Sequence, residues 1–363
     1  MAARKSKDSD TIVYIGIDLG TSRSAVSASN GKQEWVQSYV GWPKDFVAKK
    51  LLGKPILFGD EALQNRLSLN LIRPLEFGVI RDGTIRNEEA VRELIHHLIE
   101  MVVPDEGPRI NAAVGVPAEA LKVNKLAIRN AVEEYADALM VVSEPFSLAY
   151  GINALNNAMI IDIGAGTIDF CVMHGTMPAE EDQRTLTTAG DHIDRRLYDL
   201  LVEKYPNAKF SETAVRGYKE KYGFVGQASN RIKVEVPVEG KLTEHDITDQ
   251  VKQACESILP PIIETAVDLI ARYEQEFQEE VRKNIHLAGG RQSDPRHSHR
   301  DRVGAQRVRP LQSRGGEQPP LYGCRWCPRA RAGHAGRVLG EHVANRTDSL
   351  GMGEWVCGRS GEG

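Results

Sequence analysis

One pattern occurs twice in the chain and most constrains its fold: an apolar run, then aspartate, glycine and hydroxyl residues. The first copy, IGIDLGTS, covers residues 15–22, and the second, IDIGAGTID, covers residues 161–169. The apolar run predicts a buried strand, and the glycines predict a turn whose backbone N–H groups can approach a phosphate without hindrance from a Cβ. One copy alone could be an ordinary Asp-Gly hairpin turn. Two copies predict two similar domains that close on one nucleotide.

The aspartates of the two copies are candidate cation ligands. Asp162 lies at the end of the second predicted strand and would face a phosphate-bound cation, through water as Mg²⁺ prefers. Asp18 holds the same position in the first copy. The pattern therefore predicts one carboxylate from each domain beside the phosphates.

The charge distribution argues against nucleic acid as the main ligand. Residues 1–290 carry 33 Lys and Arg against 43 Asp and Glu, so this part is acidic and would repel a phosphate backbone. No stretch is apolar and long enough to span a bilayer, and residues 1–10 lack the apolar core of a signal peptide. We expect a cytoplasmic protein without direct membrane insertion.

Cysteine and histidine do not indicate a metal centre. Cys171 and Cys255 are not spaced as a ligand pair, and we expect both to be buried thiols. His96 and His97 lie on a predicted helix from Glu88 to Met101, which Asn87 is expected to cap. With no further ligand nearby, they are expected to be ordinary helix residues.

Glu144 precedes a proline at the start of a predicted helix, in the segment SEPFSLAYG. Two interpretations are open from the residues alone. The carboxylate could complement the positive end of the helix dipole, or it could polarise a water molecule for attack on a phosphate. Further along, residues 246–270 predict a long helix that Pro260 and Pro261 kink or break.

With these motifs together, residues 11–290 resemble the actin-like ATPase superfamily, which includes actin, the 70-kDa heat-shock chaperones and sugar kinases. Within it the chain looks most similar to the bacterial actins of magnetosome filaments. The segments that carry the resemblance are IGIDLGTSRSAVS, SEPFSLAYG, MIIDIGAGTIDFCV, AGDHIDRRL, KVEVPVEGK and IHLAGG.

The resemblance implies an α/β fold with two duplicated ribonuclease-H-like domains around a nucleotide cleft. Residues 11–155 would form the first domain, with an inserted subdomain at about 41–86. Residues 156–290 would form the second, with an inserted subdomain at about 191–245, and this domain would be incomplete. Residues 1–10 are expected to be a disordered N-terminus.

The resemblance also implies roles for individual residues, with ATP or ADP and Mg²⁺ as cofactors. Asp18 and Asp162 would organise Mg²⁺ and its waters, and Glu144 would position the attacking water. The phosphate turns would be Gly20, Thr21, Ser22 and Arg23, and Gly164, Ala165, Gly166 and Thr167. The adenine and ribose would contact a charged helix, with Glu212 and Lys219 as candidates, and the turn at Gly289 and Gly290.

The implied function is an ATP-hydrolysing cytoskeletal protein that polymerises reversibly and positions magnetosomes. Its partners would be further copies of itself and magnetosome-associated proteins, in filaments along magnetosome chains. The alternatives are a plasmid-segregating filament, a chaperone-type or sugar-kinase-type ATPase, and a scaffold that binds nucleotide without turnover. No sugar pocket is marked, and no large substrate-binding module follows the core.

The resemblance stops near residue 290. Residues 291–363 contain 13 Arg but no Ile, Phe or Lys, which cannot readily build a core. They could be a disordered basic tail; Cys324 and Cys327 could be half of a zinc site, but no second pair follows. Our hypothesis is a frameshift: codons exist for residues 291–306 that, read one nucleotide later, give GNPIRGIATAIELEL, an amphipathic helix of the family's kind. Resequencing that finds an intact frame near codon 290 would exclude it.

Overall fold

The computed structural model describes residues 12–76, 79–80, 85–103, 108–118, 120–228 and 230–289. The features predicted for residues 1–10, Gly290 and residues 291–363 lie outside these ranges. Residues 12–151 are called the first half below, and residues 156–289 the second half.

The first half is built on a five-stranded sheet, and an inserted segment lies between its third and fourth strands. Strands β1, β2 and β3 form an antiparallel meander, and β9 and β10 add to β1 in parallel, in the order β10-β9-β1-β2-β3. Its elements are β1 (Ile12–Leu19), β2 (Arg23–Ala28), β3 (Gln33–Gln37), β4 (Val40–Pro43), α1 (Phe46–Leu52), β5 (Leu57–Phe58), α2 (Gly59–Gln64), β6 (Leu69–Ile72), β7 (Leu75–Glu76), β8 (Val79–Ile80), α3 (Ile85–Val102), β9 (Arg109–Val116), α4 (Ala120–Glu133), β10 (Ala138–Ser143) and α5 (Glu144–Gly151).

The second half repeats this plan. Strands β11, β12 and β13 form an antiparallel meander, and β16 adds to β11 in parallel, in the order β13-β12-β11-β16. Its elements are β11 (Asn156–Ile163), β12 (Ile168–His174), β13 (Gln183–Leu186), α6 (Gly190–Lys204), α7 (Glu212–Tyr222), β14 (Lys233–Val238), β15 (Lys241–Asp246), α8 (Thr248–Glu256), α9 (Leu259–Ile270), α10 (Gln275–Lys283) and β16 (Ile285–Gly289). In the described residues this sheet has four strands where the first has five.

Each half has its own hydrophobic core, because the strands bury one or both faces under helices. In the first half, α3 covers the sheet with a stripe at helical spacing that includes Val91, Leu94 and Leu98. In the second half, β12 is buried along almost its whole length, with Phe170 at its centre. None of the described helices is both long and apolar enough to cross a bilayer.

Local predictions were confirmed in type and corrected in their bounds. The helix predicted from Glu88 begins at Ile85, so Asn87 lies in its first turn and is not its cap. The helix predicted over residues 246–270 is two helices, α8 and α9. Pro260 and Pro261 lie in the first turn of α9, where a missing N–H breaks no intrahelical hydrogen bond.

The predicted buried thiols and helix histidines are confirmed. Cys171 and Cys255 are free and buried, and burial raises the pKa of Cys171 to about 12. His96 and His97 lie in α3, where the ring of His97 stacks on Phe58 at 4.1 Å between centroids.

The glycine at the end of β16 yields a stability prediction. Gly289 has φ +90°, and a Cβ placed on it would lie 2.2 Å from the carbonyl oxygen of Ile163 on β11. We expect Gly289→Ala to lower the free energy of unfolding by about 2–4 kcal/mol, measured by urea denaturation. Gly217→Ala is the matched control: no atom lies within 4 Å of its Cβ, and alanine inside α7 should raise stability by about 0.5–1 kcal/mol. Equal effects at both positions would contradict this account.

Candidate functional site

A cavity of about 450 Å³ lies between the two halves. It is bordered on one side by the first glycine turn (residues 20–23) and on the other by the second glycine turn (residues 164–167). Its wall also includes three acidic side chains and part of helix α7. Residues used below that line it are Asp18, Gly20, Thr21, Ser22, Arg23, Gly115, Glu144, Ser147, Asp162, Gly164, Ala165, Gly166, Thr167, Gly190, Ile193, Lys219, Glu220 and Gly289.

Parallel strand pairing brings the acidic side chains to the same edge of the structure. Asp18 is next to the last residue of β1, and Glu144 follows directly after β10. Because β1, β9 and β10 are parallel, their carboxyl ends meet at one edge, and Gly115 of β9 lies between the other two strands. Asp162 occupies the corresponding place on β11.

The two glycine turns pack directly against each other. A Cβ placed on Gly166 would lie 2.5 Å from Oγ1 of Thr21, so only glycine fits at this position. The second turn is closed by a hydrogen bond from the Gly164 N–H to the Thr167 carbonyl, at 2.8 Å. In the first turn the carbonyl of Gly20 accepts a hydrogen bond from the Ser38 hydroxyl, at 2.7 Å.

Helix α6 begins against the second glycine turn and fixes its carbonyl groups. The N–H of Asp191 donates to the Ala165 carbonyl at 2.7 Å, and the N–H of Gly190 donates to the Gly164 carbonyl at 3.2 Å. Because these two carbonyl oxygens accept hydrogen bonds from the helix, they point toward the helix and away from a ligand in the cavity. A turn arranged in this way suits an anionic ligand.

The buried carboxylates disfavour one another's ionisation. Burial raises the pKa of Asp18 to about 6. Burial, followed by the charges of Asp18 and Asp169, raises the pKa of Asp162 to about 8. The pKa of Glu144 is raised well above its usual value by burial and then by Asp18, Asp169 and Asp162. A bound cation would relieve this repulsion and restore the ionised forms.

Glu144 is placed for more than complementing a helix dipole. It is the first residue of α5, yet its Oε1 is buried and has no hydrogen-bond partner among the residues that the structure describes. Gly115 of β9 lies beside it, and a Cβ on Gly115 would make an ordinary contact of 3.5 Å with Cγ of Glu144. A buried acceptor that lines a cavity and lacks a partner fits a bound water or ligand group.

Most of the residues predicted from the sequence line this one cavity. They include all eight residues of the two turns, the three carboxylates, Lys219 and Gly289. Glu212 is not among the lining residues: it is the exposed first residue of α7, and its place at the cavity is taken by Glu220, next to Lys219. Gly290 lies outside the described residues.

Sequence reasoning missed Asp169 and Glu220. Asp169 is buried and pairs in register with Asp162 across the β11–β12 hairpin. Its Oδ1 accepts hydrogen bonds from the Ala118 N–H at 3.0 Å and from the Thr185 hydroxyl at 2.5 Å. The hairpin register could have revealed Asp169, because the glycine turn is centred between the two aspartates. No signal in the sequence indicated which face of α7 meets the cavity.

The donor set fits a nucleotide with a divalent cation. The backbone N–H groups of the two glycine turns can bind phosphates, and Asp18 and Asp162 supply the oxygen ligands that Mg²⁺ prefers. In the described part of the chain, no three His, Cys, Asp or Glu side chains are grouped to hold a metal ion by themselves. A cation here would therefore complete its coordination with water and phosphate oxygens.

Comparison with known proteins identifies relatives over most of the chain. The model of the MreB/Mbl protein family matches residues 13–293, close to the point where the composition changes. The actin-like protein MamK of Magnetospirillum gryphiswaldense is 41% identical over 278 residues, which are 77% of each chain.

Solved structures agree. A MamK double helical filament has a TM-score of 0.74 at 40% identity, over 77% of this chain and 86% of the MamK chain. A non-polymerising MamK mutant bound to AMPPNP has a TM-score of 0.61 at 40% identity, with the same coverage. The fold is therefore actin-like, and the chain belongs to the MreB/Mbl family.

Proposed function

We propose that this chain binds ATP with Mg²⁺ between its two halves, hydrolyses it, and polymerises into filaments whose lifetime depends on the bound nucleotide. One observation carries the nucleotide part: two glycine turns from different halves pack together at Thr21 and Gly166, with three carboxylates beside them. A MamK relative at 40% identity is bound to AMPPNP, an ATP analogue, which supports the same ligand here.

The residues that line the cavity have different proposed roles, according to where they lie. The backbones of the two glycine turns would hold the phosphates, and Asp18 and Asp162, which line the same cavity, would hold the cation through its waters. Mg²⁺ would neutralise charge on the phosphates during transfer. Glu144, with its unpartnered Oε1, accepts a hydrogen bond from the attacking water and orients it. Lys219, Glu220 and Gly289 line the far wall, where the adenine and ribose would lie.

The domain organisation proposed here follows the duplication. Residues 11–155 and 156–290 would be the two domains, with inserted subdomains at about 41–86 and 191–245. Residues of both glycine turns would hold the phosphates, so loss of the γ-phosphate would remove one link between the domains and favour a different closure. This difference would make the filament labile after hydrolysis.

Polymerisation is supported by several exposed apolar side chains in the inserted segment of the first half. Phe46, Leu51 and Leu67 are 84%, 74% and 85% exposed, and Lys49 and Lys50 lie among them on α1. Isolated exposed apolar residues are ordinary, but several together on one small segment indicate an interaction site.

A complementary surface lies on α10 of the second half. There Phe277 is 39% exposed beside the acidic side chains of Glu276, Glu279 and Glu280. We propose that α1 of one copy packs on α10 of the next. Such a contact joins two different surfaces, and it builds an open filament when the rotation between successive copies does not close a ring.

The cellular role that we propose is the one implied by similarity to MamK. A MamK filament is among the structural matches reported above, and on this basis the chain would form cytoplasmic filaments along magnetosome chains, with magnetosome-associated proteins as partners. The cargo that a filament binds depends on interface residues, which have no local sequence signature. Co-purification of labelled filaments with magnetosomes is therefore the direct test of this role.

The first prediction concerns hydrolysis. Glu144→Gln keeps the side chain's shape but weakens its capacity to polarise water, so we expect ATP hydrolysis to fall by about 100-fold or more while ATP binding persists. Sedimentation and electron microscopy should show ATP-dependent filaments that disassemble more slowly than those of the wild type. Glu134→Gln, an exposed acidic residue, is the control. Unchanged hydrolysis in Glu144→Gln would exclude its role.

The second prediction concerns pH. The pKa of Asp162 is raised to about 8 in the folded chain, so the folded state binds more protons than the unfolded state as pH rises from about 4 to 8. Stability of the nucleotide-free protein should therefore decline across this window. Asp162→Asn removes this charge and should raise the Tm by at least about 2 °C at pH 8, and by less at pH 5, while abolishing hydrolysis. An equal shift at both pH values would contradict the argument.

The third prediction concerns assembly. Leu51→Asp places a charge on the apolar surface of α1, so we expect filaments to be lost from ATP-containing samples while nucleotide binding is unchanged. Leu126→Asp is the control, because Leu126 is similarly exposed, at 68%, on α4. Equal loss of pelleting in both variants, or normal filaments from Leu51→Asp, would show that α1 is not the contact.

A further inference from the structure

Arg73 follows β6 in the inserted segment of the first half, and its guanidinium group joins the two halves. Its Nε donates to the carbonyl of Thr21 in the first glycine turn, at 2.8 Å. Its Nη1 pairs with Oδ2 of Asp191, at the start of α6 in the second half, at 2.9 Å. Each of the two side chains is only 22% exposed. One side chain thus holds the first glycine turn and the second half together.

Asp191 connects the same contact to the second glycine turn. Its backbone N–H donates to the carbonyl of Ala165, at 2.7 Å, while its side chain accepts from Arg73. Both glycine turns are therefore linked through a single pair of residues, Arg73 and Asp191.

A network of ion pairs extends from Asp191 to the far wall of the cavity. Oδ1 of Asp191 pairs with Nη2 of Arg216 at 3.3 Å, and Nε of Arg216 pairs with Oδ2 of Asp194 at 3.0 Å. Oδ1 of Asp194 pairs with Nζ of Lys219 at 2.7 Å, and Lys219 lines the cavity. The network runs without interruption from the first glycine turn to the side of the cavity proposed for the adenine.

We propose that Arg73 is a positioning residue that latches the two halves together and retains the nucleotide. This inference rests on the proposed nucleotide site. Arg73 and Thr21 both belong to the first half, and Asp191 belongs to the second. Separation of the two halves at this point must therefore break the Arg73–Asp191 pair. Release of nucleotide therefore requires the latch to open, whereas the chemical step at Glu144 does not involve it.

Arginine suits this place better than lysine. Its planar guanidinium presents Nε and Nη1 in a fixed geometry, so it can donate to a carbonyl and a carboxylate at the same time. The limited exposure of both side chains reduces screening by water. After loss of Arg73, Asp191 would still pair with Arg216, so the second half keeps its own network.

The test is the rate at which a fluorescent ATP analogue, mant-ATP with Mg²⁺, leaves the protein on dilution into excess ATP. Four proteins are compared: wild type, Arg73→Gln, Asp191→Asn and the double variant. We expect Arg73→Gln to speed release about tenfold in the wild-type background, the size typical of a charged hydrogen bond. In the Asp191→Asn background the same change should alter the rate by less than about twofold, because its partner is already neutral.

Two further variants keep the test decisive. Arg66→Gln, in the same inserted segment, is the control: Arg66 is exposed and donates only to the nearby Leu63 carbonyl in the described structure, so its release rate should equal that of the wild type. Arg73→Lys keeps the charge and is the milder change if Arg73→Gln fails to fold. It should speed release by a smaller factor, which Asp191→Asn also removes.

The possible results distinguish failure of the latch proposal from failure of the proposed nucleotide site. An equal factor for Arg73→Gln in both backgrounds, or no change in release, would overturn the latch and leave the nucleotide site standing. Failure of the wild type to bind mant-ATP would overturn the proposed function itself. Single-turnover hydrolysis by Arg73→Gln should match the wild type within about twofold, since a latch alters retention and not chemistry; a large loss there would assign Arg73 to the chemical step and overturn the latch.

Discussion

The repulsion among buried carboxylates is the constraint on which the site depends. Asp18, Glu144 and Asp162 come from three different strand ends and lie half-buried in the cavity wall. Burial raises the pKa of each, and nearby negative charges raise the pKa of Glu144 and Asp162 further. A fold arranged only for stability would not gather them. Under the proposed function, a cation beside the phosphates would relieve this repulsion, so binding of the ligand would stabilise the folded chain. The duplicated sheets serve this purpose: each brings one aspartate to the cavity at the end of its first strand.

The local parts of this site could be predicted from the sequence. The glycine turns and their aspartates lie within a few residues of one another, so the apolar run, the turn and the carboxylate appear together in the printed chain. Gly289 could be found for the same reason, since it ends an apolar strand. Glu144 stayed ambiguous at the level of its own segment, because its role depends on β1 and β9, which lie far away in the sequence.

The parts that sequence reasoning missed depend on register between distant elements. Glu212 and Glu220 lie on the same helix, and only the packing of α7 on α6 determines which of them meets the cavity. Arg73 and Asp191 are 118 positions apart. Asp191 lies in the AGDHIDRRL segment, but nothing in the sequence links that segment to Arg73. Asn87 was expected to cap the helix because asparagine is a common N-cap residue. In the structure the helix begins two residues earlier, at Ile85. Helix ends depend on small energy differences, so single residues fix them poorly.

The contact between Thr21 and Gly166 has a consequence for how such a chain can vary. The three atoms nearest to a Cβ at position 166 are Oγ1, Cβ and Cγ2 of Thr21, so a larger residue at 166 is tolerated only if residue 21 loses its side chain. Glycine at position 21 would remove all three atoms, but it would also remove the hydroxyl from the first turn. The dependence runs one way: a side chain can appear at position 166 only after residue 21 has become smaller. A recombinant that joins a first half carrying Thr21 to a second half lacking Gly166 would therefore have a clash at this point.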